Sequence, residues 1–427
     1  MKGTAHVRLS TPAWLFLLFA VLVLSSNSIY RKTNGMHARQ FVMGSDMEGY
    51  YQYLPYFFLK GKEDMKHMPW ARPYGEDRTL NGFTCGVAIM QMPFFLTAHV
   101  VSKFLELKSD GYNSVYFMSV LFAAMVYVFI GLYYLFKTLY RLFSRRTALI
   151  VVLAVFFATN LFYYTVMEPG MSHAYSFCLI SVYIYQVKNF YDKPGISSSL
   201  KMILPLALAV LIRPTSIVAV IYFILYEVDS IKGFGERFKL LLRNRNLLLV
   251  MLFASLVVFL PQMAYWHLVT GKWVVYSYLN QGFDNILSPA IFTVLLGPRN
   301  GWYLYTPLML IATAGLFYLA WKRKYSAPAI LIILAAIVYI NASWWVPTFS
   351  RSTGYRTLVE YIPFMAIPLG FVGDWAFSKS KLSAVFKALL VLFVVYNILF
   401  SYGYNGYLWW DTPWQWKYFR ELVKFIF

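Results

Sequence analysis

Apolar runs recur along the whole chain, near residues 12–29, 114–136, 147–166, 173–188, 200–211, 214–228, 246–268, 302–320, 327–343, 356–376 and 383–401. Most are long enough to cross a hydrocarbon core, and in such a core only helices satisfy their own backbone. The pattern therefore predicts an all-α, polytopic membrane protein of about eleven transmembrane helices. Leu15–Leu24 follows Lys2 and Arg8 as in a signal peptide. Ser25-Ser26-Asn27-Ser28 is a poor cleavage site, however, so this run is expected to be the first span. The Arg213-Pro214-Thr215 step interrupts residues 200–228 and predicts two half-length helices meeting at a turn.

One further segment, residues 85–105, is apolar but contains Gln91, Pro93, His99 and Lys103. Whether it crosses inverts the orientation of everything after it. If it does not cross, five basic clusters share one side with Lys2 and Arg8, and all 20 of these Lys and Arg residues, Lys2 and Arg8 included, agree with a cytoplasmic location. The clusters are Lys137/Arg141/Arg145/Arg146, Lys188/Lys193/Lys201, Lys232/Arg237/Lys239/Arg243/Arg245, Lys322/Arg323/Lys324 and Lys379/Lys381/Lys387. Crossing would place the first of these outside. Residues 85–105 are therefore expected to form a re-entrant or interfacial helix within a first external segment of about residues 30–113.

Composition agrees with this layout: 59% of the 427 residues are hydrophobic and 13% are charged. No polar stretch is long enough for a separate soluble core, so one membrane domain, residues 1–427, is expected. Its last part, residues 402–427 with Trp409, Trp410, Trp414 and Trp416, reads as an external interfacial aromatic tail. The net charge of +20 sits in short clusters between spans, which marks topology and does not form the stripe that nucleic acid requires. Cys85 and Cys178 have no metal-ligand or redox spacing.

Acidic residues number only 18, so a carboxylate at the bilayer edge is a candidate for chemistry. Asp46 and Glu48 lie just after the first span, in Gly44-Ser-Asp-Met-Glu-Gly-Tyr-Tyr-Gln-Tyr-Leu-Pro55. They share the expected outer face with Glu168, His173, Arg213, Asp284, Arg299, Arg351 and Arg356. On a helix the two carboxylates point nearly opposite ways, so one acting as a lone general base is simpler than an acid and base couple. Ordinary roles fit as well. Ser45 or Asp46 suits a helix N-cap, with Glu48 in the first turn. Arg356 and Glu360, four apart, suit an ion pair along one helix, while arginines at the interface equally suit a phosphate clamp. His173 suits either a substrate contact or a helix start. Tyr50, Tyr51, Trp302, Tyr303, Trp344 and Trp345 suit sugar stacking or the aromatic belt.

The Asp46–Pro55 segment resembles the aspartate-bearing first loop of the GT-C membrane glycosyltransferases, the class that contains protein O-mannosyltransferases and the aminoarabinose transferase of lipid A. Glu168-Pro-Gly-Met-Ser-His-Ala-Tyr-Ser-Phe177, Leu211-Ile-Arg-Pro-Thr215, Asn300-Gly-Trp-Tyr-Leu-Tyr-Thr-Pro307 and Gly354-Tyr-Arg-Thr-Leu-Val-Glu-Tyr361 resemble a bacterial branch of that class. The resemblance implies juxtamembrane helices in the first external loop. It also implies an inverting transferase of the bacterial inner membrane, with its site on the extracytoplasmic face. The donor would be a polyprenyl-phosphate-linked sugar and the acceptor a lipid, glycan or protein. Asp46 takes the place of the catalytic aspartate, and Glu48, Glu168, His173, Arg213, Arg299, Arg351 and Arg356 are expected to bind substrate. The His-Pro-Pro-Leu sequence of the O-mannosyltransferases is missing, which leaves the acceptor open. No cofactor is required, although Asp46, Glu48 and Glu168 offer oxygen ligands to a divalent metal. The competing expectations are a lipid or lipid-linked glycan flippase, which needs a polar path across the bilayer, and a noncatalytic membrane subunit of polysaccharide assembly.

Overall fold

The computed structural model describes residues 11–60, 71–74, 78–278, 281–349 and 352–404. The first span is α1 (Thr11–Asn34), followed by a 3₁₀ turn at Ala38–Phe41, α2 (Asp46–Tyr51), α3 (Tyr53–Pro55) and a π turn at Tyr56–Lys60. An antiparallel pair, β1 (Ala71–Tyr74) and β2 (Arg78–Asn81), precedes α4 (Gly86–Phe104). Next come α5 (Ser114–Tyr140), α6 (Arg145–Phe157), α7 (Leu161–Val166), α8 (Ser172–Asp192) and α9 (Ile196–Ile212). A 3₁₀ segment at Pro214–Ala219 leads to α10 (Val220–Ile224), α11 (Ile231–Arg243) and α12 (Arg245–Thr270). The short α13 (Ile291–Leu296) and α14 (Trp302–Tyr305) lead to α15 (Leu308–Trp321) and α16 (Ala327–Ala342). A second 3₁₀ segment, Arg356–Tyr361, opens α17 (Ile362–Phe377), and α18 (Ser380–Gly403) follows. The chain is all-α apart from the one strand pair. Each expected run is helical over most of its length. Among the described residues, α1, α4, α5, α12 and α18 are long and apolar enough to cross a membrane, with α9, Pro214–Ile224, α15 and α16 as shorter apolar helices.

By length and composition α4 could cross a membrane, and it packs on one part of the bundle only. It runs antiparallel to the first half of α5: Met90 O accepts from Tyr127 Oη, Phe95 packs on Tyr116, and Asn113 reaches Ser102 Oγ. Beyond that half, α5 packs on α8 instead, with Gly131 against Phe177 and Arg141 bonded to Asn189. α4 therefore covers only the part of α5 nearest Asp46. Its far end exposes Val100, Phe104 and Leu105, as a helix lying at an interface would.

The run 147–166 is not continuous. Thr159 turns its hydroxyl back onto Val155 O at 2.6 Å, and the chain leaves the helix at Ala158–Asn160 before α7 begins. A break at this depth leaves carbonyls that lipid cannot satisfy. Asn397 of α18 bridges the break, donating to Phe157 O at 2.9 Å and to Thr159 O at 2.8 Å, the latter also accepting from Phe162 N. Asn27 of α1 bonds Val166 O at 2.6 Å, and Gln262 of α12 accepts from Cys85 N at 2.7 Å. Asn397→Leu is expected to destabilise the protein by about 1–3 kcal/mol, since Phe157 O then lacks a partner while Thr159 O keeps only its bond from Phe162 N. A thermal melt in detergent micelles that shows no loss of midpoint would refute this.

Arg213 ends α9 in an extended conformation, and Pro214 starts the following 3₁₀ segment, as the sequence predicts. The ends of the helices on this side carry most of the distinctive polar residues.

Candidate functional site

Ser45, not Asp46, is the N-cap of α2, and its hydroxyl accepts from Met47 N at 3.3 Å. Glu48 folds back so that its Oε2 accepts from Gly44 N at 2.9 Å, which completes the local cap. Gly44 has a φ of +89°, which favours glycine there. These contacts occupy Glu48 with structure and leave the Asp46 carboxylate, on the first residue of the helix, without capping work. Asp46 Oδ2 instead lies 3.0 Å from Arg356 Nη2, with the two side chains 21% and 16% exposed. A charge-assisted contact this short, reachable but largely shielded, is strong enough to position both groups.

Arg356 reaches Asp46 because the loop before it is tightly held. Gly354 has a φ of +64° and lies against Asn160 and Tyr305. Thr353 N donates to Tyr164 Oη at 3.0 Å, and Asn160 Nδ2 donates to Thr353 O at 3.0 Å. The helix break at Asn160 thus supports the Arg356 loop. Tyr164, Tyr50 and Glu168 also lie within electrostatic reach of Arg356.

The ion pair of Arg356 with Glu360 suggested by their spacing does not form. Arg356–Tyr361 is a 3₁₀ segment with three residues per turn, so a residue four positions on does not return to the same face. Glu360, wholly buried, faces Arg213 instead, with Oε1 3.3 Å from its Nε. His173 Nδ1 stands 4.0 Å from Glu360 Oε2, too long for a hydrogen bond, and the imidazole packs edge-on against Tyr164 at 4.7 Å. Helix capping does not explain His173, because Met171 is the N-cap of α8 and makes no side-chain cap bond. Two acid and arginine pairs, Asp46–Arg356 and Arg213–Glu360, therefore sit side by side. Arg213 and Arg356 are close enough to repel one another.

Two tyrosines bridge the pairs. Tyr50 and Tyr278 lie within electrostatic reach of both Asp46 and Arg213. Burial, reinforced by Asp46, holds both hydroxyls above their ordinary pKa, although Arg213 opposes the shift. Both stay protonated at neutral pH and can donate to an anion. Tyr51 and Trp302 are packed in the core and offer no stacking surface, while Trp345 is 44% exposed.

Glu168 accepts from Tyr163 Oη at 3.2 Å at the turn between α7 and α8. Gly170 in that turn abuts the Phe41 carbonyl so closely that no Cβ fits, which docks the turn against the first external segment. Arg299, in the link between α13 and α14, lies with Tyr305 and Tyr404. Tyr404 in turn neighbours Tyr164 and Glu168. The structure thus brings the Asp46–Arg356 pair beside Arg213, Glu360 and His173, with Glu168 close by. Arg299 sits farther along the same rim. Glu48 is turned into its own helix cap. Arg351 and residues 405–427 of the aromatic tail lie outside the described residues.

Glu360, Tyr164 and Tyr278 belong to this cluster although the motif spacing did not single them out as ligands, and Tyr50, a stacking candidate by sequence, joins it through its hydroxyl. For Glu360 a signal existed, since a carboxylate inside an apolar run is a functional marker in itself. Among the described residues no group of three or more His, Cys, Asp or Glu side chains converges as a metal site.

No protein-family model and no curated protein matches the chain. Its fold does match a solved one. The crystal structure of ArnT from Cupriavidus metallidurans bound to undecaprenyl phosphate superposes over 92% of this chain and 71% of that one, with 14% identity and a TM-score of 0.50. The apo state of the same protein superposes over 92% and 70%, with 14% identity and a TM-score of 0.48. A likeness at this identity speaks for architecture, and the chain is a polytopic, all-α membrane protein that shares its fold with ArnT.

Proposed function

We propose that the protein is an inverting glycosyltransferase that moves a sugar from a polyprenyl-phosphate donor to a hydroxyl acceptor on the extracytoplasmic face. The observation that carries this reading is the Asp46–Arg356 contact at 3.0 Å: one carboxylate and one guanidinium, partly reachable, at the mouth of the bundle. The GT-C-like fold and the undecaprenyl phosphate bound by ArnT support the donor class.

In this scheme Asp46 takes the proton of the acceptor hydroxyl as its oxygen attacks the anomeric carbon. The bond from that carbon to the phosphate oxygen breaks, and the polyprenyl phosphate departs with the electron pair. The leaving group is already anionic, so it needs charge stabilisation more than a proton. Arg356 and Arg213 supply that charge, and the protonated Tyr50 and Tyr278 add neutral donors. The arriving phosphate draws Arg356 from Asp46, so donor binding releases the base when it is needed.

The flippase reading loses support from the spans. Asn160, Gln262 and Asn397, the polar residues that would mark a path, are each hydrogen-bonded to backbone. A reconstituted assay separates the readings: release of sugar from a polyprenyl-phosphate donor supports the transferase. Headgroup translocation without bond cleavage would replace it with the flippase.

A further inference from the structure

We infer that α11 lies in the plane of the membrane face opposite the candidate site, with its apolar side in the acyl boundary and its basic side on anionic lipid headgroups. The helix reads Ile231-Lys-Gly-Phe-Gly-Glu-Arg-Phe-Lys-Leu-Leu-Leu-Arg243. At 3.6 residues per turn, Ile231, Phe234, Phe238, Leu241 and Leu242 fall within an arc of about 100°, and Lys232, Lys239 and Arg243 fall within an adjacent arc of about 40°. Of the apolar five, only Leu241 is buried by the protein. Ile231 is 93% exposed, Phe234 46%, Phe238 56% and Leu242 54%. An exposed apolar face of this kind requires a cover.

The position of the helix identifies that cover. Arg237 anchors it, with its guanidinium 3.7 Å from the Tyr191 ring centre and a bond to Tyr226 O. Tyr191 is near the end of α8, whose second residue is His173, so the rise of that helix separates α11 from the candidate site by about 27 Å. That is close to the thickness of a hydrocarbon core. After Asn244 the chain enters α12, which exposes Leu249, Leu252, Phe253, Leu256 and Leu260 along one stripe. The apolar arc of α11 is thus followed within two turns by a surface that faces lipid. Lys232, Lys239 and Arg243 are exposed, Glu236 is the one acid in the helix, and the Lys322/Arg323/Lys324 cluster adjoins it through the bond from Arg323 to Asp229 O. A surface so weighted toward one sign complements a negatively charged leaflet.

The test uses the full-length protein in vesicles of phosphatidylcholine with or without phosphatidylglycerol. A fluorophore is attached at Phe238→Cys or, as a control, Lys239→Cys, because native Cys85 and Cys178 are buried. Lipids brominated near the headgroup are expected to quench the probe at 238 at least about threefold more than the one at 239, since the two positions differ by about 100° around the helix. Equal quenching at the two sites, or ready quenching of the 238 probe by aqueous iodide, would overturn the placement and favour a soluble partner. Native mass spectrometry reads the charge arm. Retained phosphatidylglycerol should fall at least about fivefold in the Lys232→Gln/Lys239→Gln/Arg243→Gln variant. It should be retained when the same positions keep their charge as Lys232→Arg/Lys239→Arg/Arg243→Lys. Equal retention in both variants would overturn the headgroup assignment.

Discussion

Asp46→Asn is expected to lower sugar transfer by about 10²–10⁴-fold, the range for loss of a general base, while the protein still folds and inserts. Asparagine keeps the shape of the side chain and the helix start, because Ser45 and Glu48 make the cap of α2. What it removes is the proton acceptor and the charge opposite Arg356. A second consequence separates this role from a merely structural one. Arg356 loses its carboxylate partner in the variant, so donor affinity should be unchanged or up to about fivefold tighter, the range for a partly exposed ion pair. A residue that only held the donor would lose affinity and turnover together. Normal activity in Asp46→Asn, measured with a polyprenyl-phosphate sugar in detergent, would sink the assignment.

Arg356→Lys is the second large effect. Lysine keeps the charge but not the planar fork, and a bidentate phosphate or carboxylate contact is lost. Donor KM is expected to rise by about 10-fold or more, with a further fall in kcat as the leaving phosphate loses stabilisation. The size-exclusion profile should stay that of the wild type, since Arg356 is partly exposed and its loop is fixed by Tyr164, Asn160 and Gly354. In the double variant with Asp46→Asn the two losses in kcat should multiply, because Asp46 takes the proton while Arg356, drawn off by the arriving phosphate, stabilises the leaving group. A double variant no slower than Asp46→Asn alone would mean that Arg356 acts only through its 3.0 Å contact with Asp46.

The two arginine and carboxylate pairs differ in accessibility, and this suggests a division of labour. Asp46 and Arg356 are reachable and suit the chemistry. Glu360 is fully buried and suits the orientation of Arg213 and of the helix ends around it. Removing the carboxylate of Glu360 alone would leave an arginine facing a buried, uncompensated site, a costly change.

Much of the architecture was legible in the chain. Hydropathy and the need of a lipid-embedded backbone for internal bonding located the helical runs, and Arg213-Pro214 marked its own break because proline lacks the N–H that would continue α9. The N-terminus of α2 was also readable, since a serine N-cap depends only on residues within one turn. Residues 85–105 are helical as expected, and α4 pairs with the near half of α5.

Pairing across the bundle was not legible. Spacing suggested Arg356 with Glu360, yet a 3₁₀ segment changes which residues share a face, and the choice between α and 3₁₀ is set by the packing of the Gly354 loop against Asn160 and Tyr305. The same holds for Asn397, whose role depends on a helix break far away in sequence. By itself, then, the sequence determined what depends on local periodicity and on lipid as solvent: an all-α membrane chain, its helical runs, and the residues gathered at its helix ends. Only the tertiary structure decided that Asp46 meets Arg356 while Arg213 meets Glu360, because those contacts are made between distant helices whose relative rotation no local pattern encodes.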